Sequence, residues 1–146
     1  MIQHLFLFLF LFISIVGVDK NLIYGKWKLE GDEVFLNIMT LEAFKMGTEE
    51  QQNEMAKVFQ FVLDSTFYDF KKDSVFFTDA GPGGIVKHKN GRWLLKEDTI
   101  VILESGKIKS HKFIIDHISE NEMNLRKVLD ESLVARSLLK YRKVDP

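Results

Sequence analysis

From residue 20 onward apolar and polar positions alternate with a period of two, interrupted once by a stretch of helical period. Between Lys20 and Glu30, Trp27 and Leu29 alternate with Lys26, Lys28 and Glu30, which predicts a strand with one buried face. Gly31-Asp32 suits a two-residue turn, so EVFLNIM (33–39) reads either as a second strand or as the continuation of a bent first one. The period then changes. Thr40 is placed to cap a short helix, LEAFKM, that ends at Gly47, and Thr48-Glu49-Glu50-Gln51 is a capping-box start. Beyond it Met55, Val58, Phe59, Val62 and Leu63 recur at i, i+3, i+4, i+7 and i+8, one apolar helical face. A helical insertion over about residues 40–65 follows.

The rest of the chain reads as short strands between turn signals: FYDFKK (67–72), SVFFTD (74–79), GIVKHK (84–89), RWLLKE (92–97), TIVILES (99–105), HKFIIDHIS (111–119), EMNLRKV (122–128) and LVARSLLKYRKV (133–144). Lys89-Asn90-Gly91-Arg92 predicts a hairpin turn, with Asn-Gly supplying two positive-φ positions, and Glu97-Asp98, Ser105-Gly106 and Glu120-Asn121 are further turns. About eight to ten strands joined by short turns predict a mainly β, antiparallel meander, and closure into a barrel hides its edges. Phe76 and Phe77 are adjacent, so one of them faces away from the barrel interior.

Residues 1–18, MIQHLFLFLFLFISIVGV, contain no Asp, Glu, Lys or Arg. As a helix, Leu5 to Val18 spans roughly 21 Å at 1.5 Å per residue, against about 30 Å for the hydrocarbon core of a bilayer. That length suits the hydrophobic region of a secretory signal peptide and falls short of a membrane span. The expected arrangement is a signal peptide over 1–18, cleaved after Gly17 or Val18, and one domain over 19–146. The domain is then periplasmic or extracellular, with no transmembrane span once the leader is removed.

Composition narrows the chemistry. The chain has no cysteine, which excludes disulfides, a thiolate nucleophile and Cys-ligated zinc. A net charge of −1 provides no global field for nucleic acid, which is set aside as a partner. His111 and His117 share a face of one predicted strand, but six residues at about 3.3 Å each hold them about 20 Å apart, too far for one metal. Asp79 to Gly84 is Gly-rich yet lacks the Lys-Ser/Thr and helix start of a phosphate loop, and it reads as a flexible hairpin loop. No serine lies in Gly-x-Ser-x-Gly, and the carboxylates fall at turns and outward strand positions. No catalytic residue, metal site or cofactor emerges.

Gly25-Lys26-Trp27, near the start of the first strand, resembles the opening signature of lipocalins and related calycins. The wider layout resembles small bacterial lipocalin-like domains, in Phe70-Lys71-Lys72-Asp73, in Gly91-Arg92-Trp93-Leu94-Leu95 followed by Thr99 to Leu103, and in FIIDHISENEMNL (113–125). The resemblance covers most of residues 22–143 and implies a calycin-type β-barrel. It implies structural signature roles for Gly25 and Trp27, with Arg136 or Arg142 stacking beneath Trp27. The middle and late lipocalin signatures are not recognisable. The helical segment lies where fatty-acid-binding proteins carry a helical lid, which implies a cap over one barrel end.

Phe35, Phe59, Phe67, Tyr68, Phe70, Phe76, Phe77, Trp93 and Phe113 exceed what turns and edges require, and an apolar cavity is one use for them. Phe35, Phe59, Phe70, Phe77, Trp93 and Phe113 are candidates to line a ligand cavity or its lid. The same residues can instead fill the core, since side chains alone fill a barrel of about eight strands. The first expectation is therefore a non-enzymatic protein binding a small apolar or amphipathic ligand inside the barrel. The alternative is a filled barrel acting as a cell-envelope interaction module for protein or glycan, with no small-molecule ligand.

Overall fold

The computed structural model describes residues 17–81 and 83–144, so the first sixteen residues of the expected signal peptide lie outside it. The chain runs α1 (Lys20–Ile23), β1 (Gly25–Asp32), α2 (Glu33–Thr40), α3 (Glu42–Lys45), α4 (Glu49–Ser65), β2 (Phe67–Phe70), β3 (Ser74–Ala80), β4 (Val86–Lys96), β5 (Thr99–Glu104), β6 (Ser110–Ile118), β7 (Glu122–Asp130), β8 (Leu133–Val134) and β9 (Leu139–Val144). Strands β1 to β7 pair in sequence order, β7 pairs with β9, and β9 returns to β1. Eight antiparallel strands therefore close on themselves and leave no open edge. The two-residue β8 pairs only with β7, outside that ring.

The local chemistry explains where the elements begin. At α4, Thr48 Oγ1 accepts from the Gln51 backbone N–H at 3.2 Å, and Gln51 Oε1 accepts from the Thr48 N–H at 2.9 Å, the expected capping box. Residues 33–39 form helix rather than strand. The Asp32 carboxylate accepts from the Val34 N–H at 2.8 Å, and Glu33 sits in the first turn, where the helix dipole favours an acid. Helix also brings Phe35 onto Phe59, ring centroids 4.2 Å apart and nearly parallel. The helical segment thus starts seven residues earlier than the expected 40, at residue 33. Asp19 caps α1 in the same way, so β1 begins only at Gly25, whose φ of +110° suits glycine.

The expected hairpin at Asn90-Gly91 is absent, because these residues lie in the middle of the unbroken β4. A Cβ on Gly91 would stand 2.3 Å from the Leu103 carbonyl oxygen on β5. Glycine is needed there for close approach of two strands and not for a turn. The β3–β4 reversal falls between Ala80 and Val86, at the Gly-rich stretch expected to be a hairpin loop, with Gly84 at φ +73°. Glu97 (φ 57°) and Gly106 (φ 77°) do turn the chain where expected. The last expected strand, 133–144, splits into β8 and β9.

One half of the barrel is solidly filled. Ile23, on α1, is fully buried and closes this end together with Trp27, Phe70, Val75, Ile100 and Met123. Trp27 Nε1 donates to the Ile23 carbonyl at 2.8 Å, and Trp93 Nε1 to the Lys71 carbonyl at 2.7 Å, so both buried indoles have partners. The cation over Trp27 is Lys143, 4.9 Å from the ring centroid, and not Arg136 or Arg142. Period two along β9 turns Tyr141 and Lys143 inward and Arg142 outward, where its guanidinium pairs with Glu30 at 2.8 and 3.0 Å. Arg136 is exposed between β8 and β9.

Candidate functional site

The opposite end of the barrel is not filled. The alternation that buries each strand in the closed half continues past the core, and polar side chains then occupy the inward positions. Val75 and Phe77 are followed by Asp79, Trp93 is preceded by Gly91 and Lys89, and Ile100 and Ile102 lead to Glu104. On β6 the inward residues are His111, Phe113 and Ile115, and on β7 they are Met123, Leu125 and Lys127. A bulge between Ile115 and His117 breaks this phase. His117 consequently lies outside the barrel while His111 faces in, which corrects the expectation that both share a face.

The result is an inner cavity of about 260 Å³ with an aromatic floor. Tyr68 is its centre, with ring centroids 5.3 Å from Phe77, 5.9 Å from Phe113 and 5.7 Å from Tyr141. Val62 and Thr66 place the end of α4 at the cavity. That end is pinned by buried Thr78, whose hydroxyl donates to the Ser65 carbonyl at 2.6 Å and accepts from the Phe67 N–H at 3.0 Å. An ion pair between Lys28 and Asp64 at 3.1 Å ties α4 to β1 as well. A second, outer recess of about 670 Å³ lies between the β5–β6 turn and β7, and both spaces share His111 and Lys127.

The rim is ionic. Lys89 Nζ lies 3.1 Å from Asp79 and 3.4 Å from Glu104, and His111 Nε2 lies 3.2 Å from the same Glu104 oxygen. The His111 ring, helped by Lys89, holds the Glu104 carboxyl below the ordinary carboxylate range against the opposing effect of burial. At the floor burial pushes both the Tyr68 and Tyr141 phenols up, reinforced by Asp79 for the first and by Tyr68 and Asp32 for the second. Neither hydroxyl has a hydrogen-bond partner among the described residues, so both are available to a molecule in the cavity.

These raised phenols give a pH dependence with a definite sign. Folding keeps both groups neutral, whereas the unfolded chain ionises them near the ordinary value of 10.0. Stability from this source is complete below about pH 10 and falls above it, because unfolding then releases protons. Ultraviolet titration of tyrosinate is expected to show these two phenols ionising only as the protein unfolds in alkali. Reversible ionisation of all three tyrosines by a folded protein near pH 10 would contradict the burial.

The six aromatic candidates separate into three places. Phe77 and Phe113 line the inner cavity, Phe70 and Trp93 lie in the filled half, and Phe35 and Phe59 stack on one another in the helical segment. Phe76 faces outward, 42% exposed, beside Phe67 and His88. Tyr68 belongs to the aromatic supply expected for a cavity, whereas Tyr141, Lys89, His111 and Lys127 are not among the candidates, although the inward phase of their strands marks them. Among the described residues there is no group of three or more His, Asp or Glu side chains placed to hold a metal ion.

No protein-family model matches the chain, and no curated protein matches it in sequence. Among solved structures it is similar to a lipocalin-like protein from Bacteroides uniformis, at 19% identity and a TM-score of 0.50, over 84% of this chain and 99% of that one. A protein from Bacteroides eggerthii aligns over 83% of this chain and 98% of its own, with 17% identity and a TM-score of 0.48. With its closed ring of eight antiparallel strands and helices between the first two, this chain has the lipocalin-like barrel fold.

Proposed function

We propose that this protein is a non-enzymatic carrier or sensor of a small amphipathic molecule, held in the open half of the barrel beside the end of α4. The observation that supports it most is the pairing of inner cavity and outer recess, which share His111 and Lys127. Tyr68, Phe77 and Phe113 offer apolar contact, while the phenol hydroxyls and the ionic rim offer a few convergent polar groups. The inner cavity alone, at about 260 Å³, is smaller than the roughly 300–1,000 Å³ usual for ligand sites. The ligand therefore extends into the outer recess. The charge-free leader favours an exported protein.

One experiment addresses both parts of this reading. Native mass spectrometry on the full-length chain, expressed in an exporting host and purified without denaturant, is expected to show a chain starting at Val18 or Asp19. It is expected to carry an adduct that organic extraction removes. An apo mass together with no uptake from a lipid mixture overturns the binding reading, and a chain that keeps its leader overturns cleavage.

A second reading, an interaction module for an envelope protein, draws on the helical segment. Ile38, Phe44, Met55 and Val58 line a groove that shares no lining residue with the cavity, and Leu36, Leu41 and Met46 in the same segment are exposed. On that reading Met46→Glu abolishes capture of the partner while variants of the barrel interior leave it intact.

A further inference from the structure

We propose that the ligand's polar end is an anion, a carboxylate or a phosphate ester, and that Lys107, Lys109 and Lys127 receive it in the outer recess. The inference rests on the binding reading above and adds the chemical class of the ligand. Its basis is the distribution of charge at the mouth. Among the described residues Glu104 is the only carboxylate lining the outer recess, and it is already engaged by Lys89 and His111. Lys107, Lys109 and Lys127 line the same recess, so it carries an excess of positive charge that its own acid does not balance. The inner cavity differs, because there Asp32 and Asp79 face Lys89 and Lys127.

The placement of Lys127 gives this charge a direction. It stands opposite Phe113 in the β6–β7 register, and it lines both spaces. A molecule whose apolar part rests on Phe113 and Phe77 therefore has its far end beside this amine. Lys107 and Lys109 flank it from the β5–β6 turn, with Ile108 between them fully exposed. Apolar floor, single amine at the junction and paired amines at the exit match an amphipathic anion from tail to head. The three lysines are exposed and solvated, so a neutral head would gain nothing from their charge and a cationic head would be repelled by it.

Two fluorescent probes with nearly the same aromatic body test this directly. Anilinonaphthalenesulfonate carries an anionic group, and N-phenylnaphthylamine carries none. Titrated into the intact protein, the anionic probe is expected to bind about tenfold more tightly, an advantage that shrinks in high salt. The triple variant Lys107→Gln, Lys109→Gln, Lys127→Gln is expected to bring the ratio of affinities close to one. Lys112→Gln, on the outer face of β6, is expected to leave it unchanged. Displacement of the bound anionic probe by decanoate or by decyl phosphate supports the proposal, and the stronger competitor identifies the head group. Equal or weaker binding of the anionic probe, or displacement by decanol alone, overturns the anionic head while leaving the cavity reading intact. Failure of both probes to bind overturns the binding reading itself, and this inference with it.

Discussion

Replacing Trp27 by alanine is expected to destabilise the barrel by about 4 kcal/mol, the loss typical of truncating a fully buried large aromatic residue. Trp27 has no exposed surface, and three contacts depend on it. Its ring fills the closed end beside Ile23, its Nε1 supplies the hydrogen bond to the Ile23 carbonyl, and its face carries the Lys143 amine. Removing the side chain opens a cavity and leaves a buried carbonyl without a donor, and both effects act in the same direction. Urea unfolding followed by circular dichroism measures the loss, and the melting temperature is expected to fall by about 15 °C. Trp27→Phe separates the contributions, since it keeps most of the packing and removes the hydrogen bond, for about 1–2 kcal/mol. A loss below about 1 kcal/mol for the alanine variant would mean that this end of the barrel is not the core.

The closed half was legible in the sequence because its inward positions are apolar, and alternation with an apolar phase reads directly as a buried face. Trp27 on β1, Ile100 and Ile102 on β5, and Met123 and Leu125 on β7 follow it, whereas on β3 the adjacent Phe76 and Phe77 leave the inward face undecided in the sequence. The α4 capping box was legible for a similar reason, since its two hydrogen bonds are local. Residues 33–39 were not. Val34, Phe35 and Ile38 favour strand by propensity, and helix prevails through the Asp32 cap and through Phe59, which is distant in sequence. The open end was hidden by its own chemistry. Asp79, Lys89, Glu104, His111 and Lys127 sit near strand ends, where charged residues are ordinarily solvated, and their inward phase acquires meaning only once the ring closes over them. The partner of Trp27 was misassigned because family resemblance pointed to an arginine, whereas the parity of β9 selects Lys143.

Gly91→Ala is expected to destabilise the protein by about 3 kcal/mol, the upper part of the range for forcing extra volume into a packed site. The added Cβ would lie 2.3 Å from the Leu103 carbonyl oxygen and 3.1 Å from the Glu104 Cα, both backbone atoms, so no side chain can move aside to admit it. Strands β4 and β5 must separate, and in a closed ring that movement strains every other pairing. By itself the variant does not tell a strand glycine from a turn glycine, because a positive-φ turn position also resists alanine. Asn90→Thr tells them apart. Asn90 is exposed on β4 opposite Phe76, so a β-branched residue there is expected to be neutral or slightly stabilising. In a two-residue hairpin turn the same threonine would be forced to positive φ and the protein would lose stability. Paired urea titrations decide the matter, with a large loss at position 91 and none at 90 expected for the continuous strand. Because β5 ends at Glu104, the same separation is expected to loosen the network of Lys89, Glu104 and His111 at the rim. Gly91→Ala is thus also expected to weaken binding of the anionic probe, although the residue is remote from the outer recess in kind: it has no side chain to offer a ligand and acts only through the spacing of two strands.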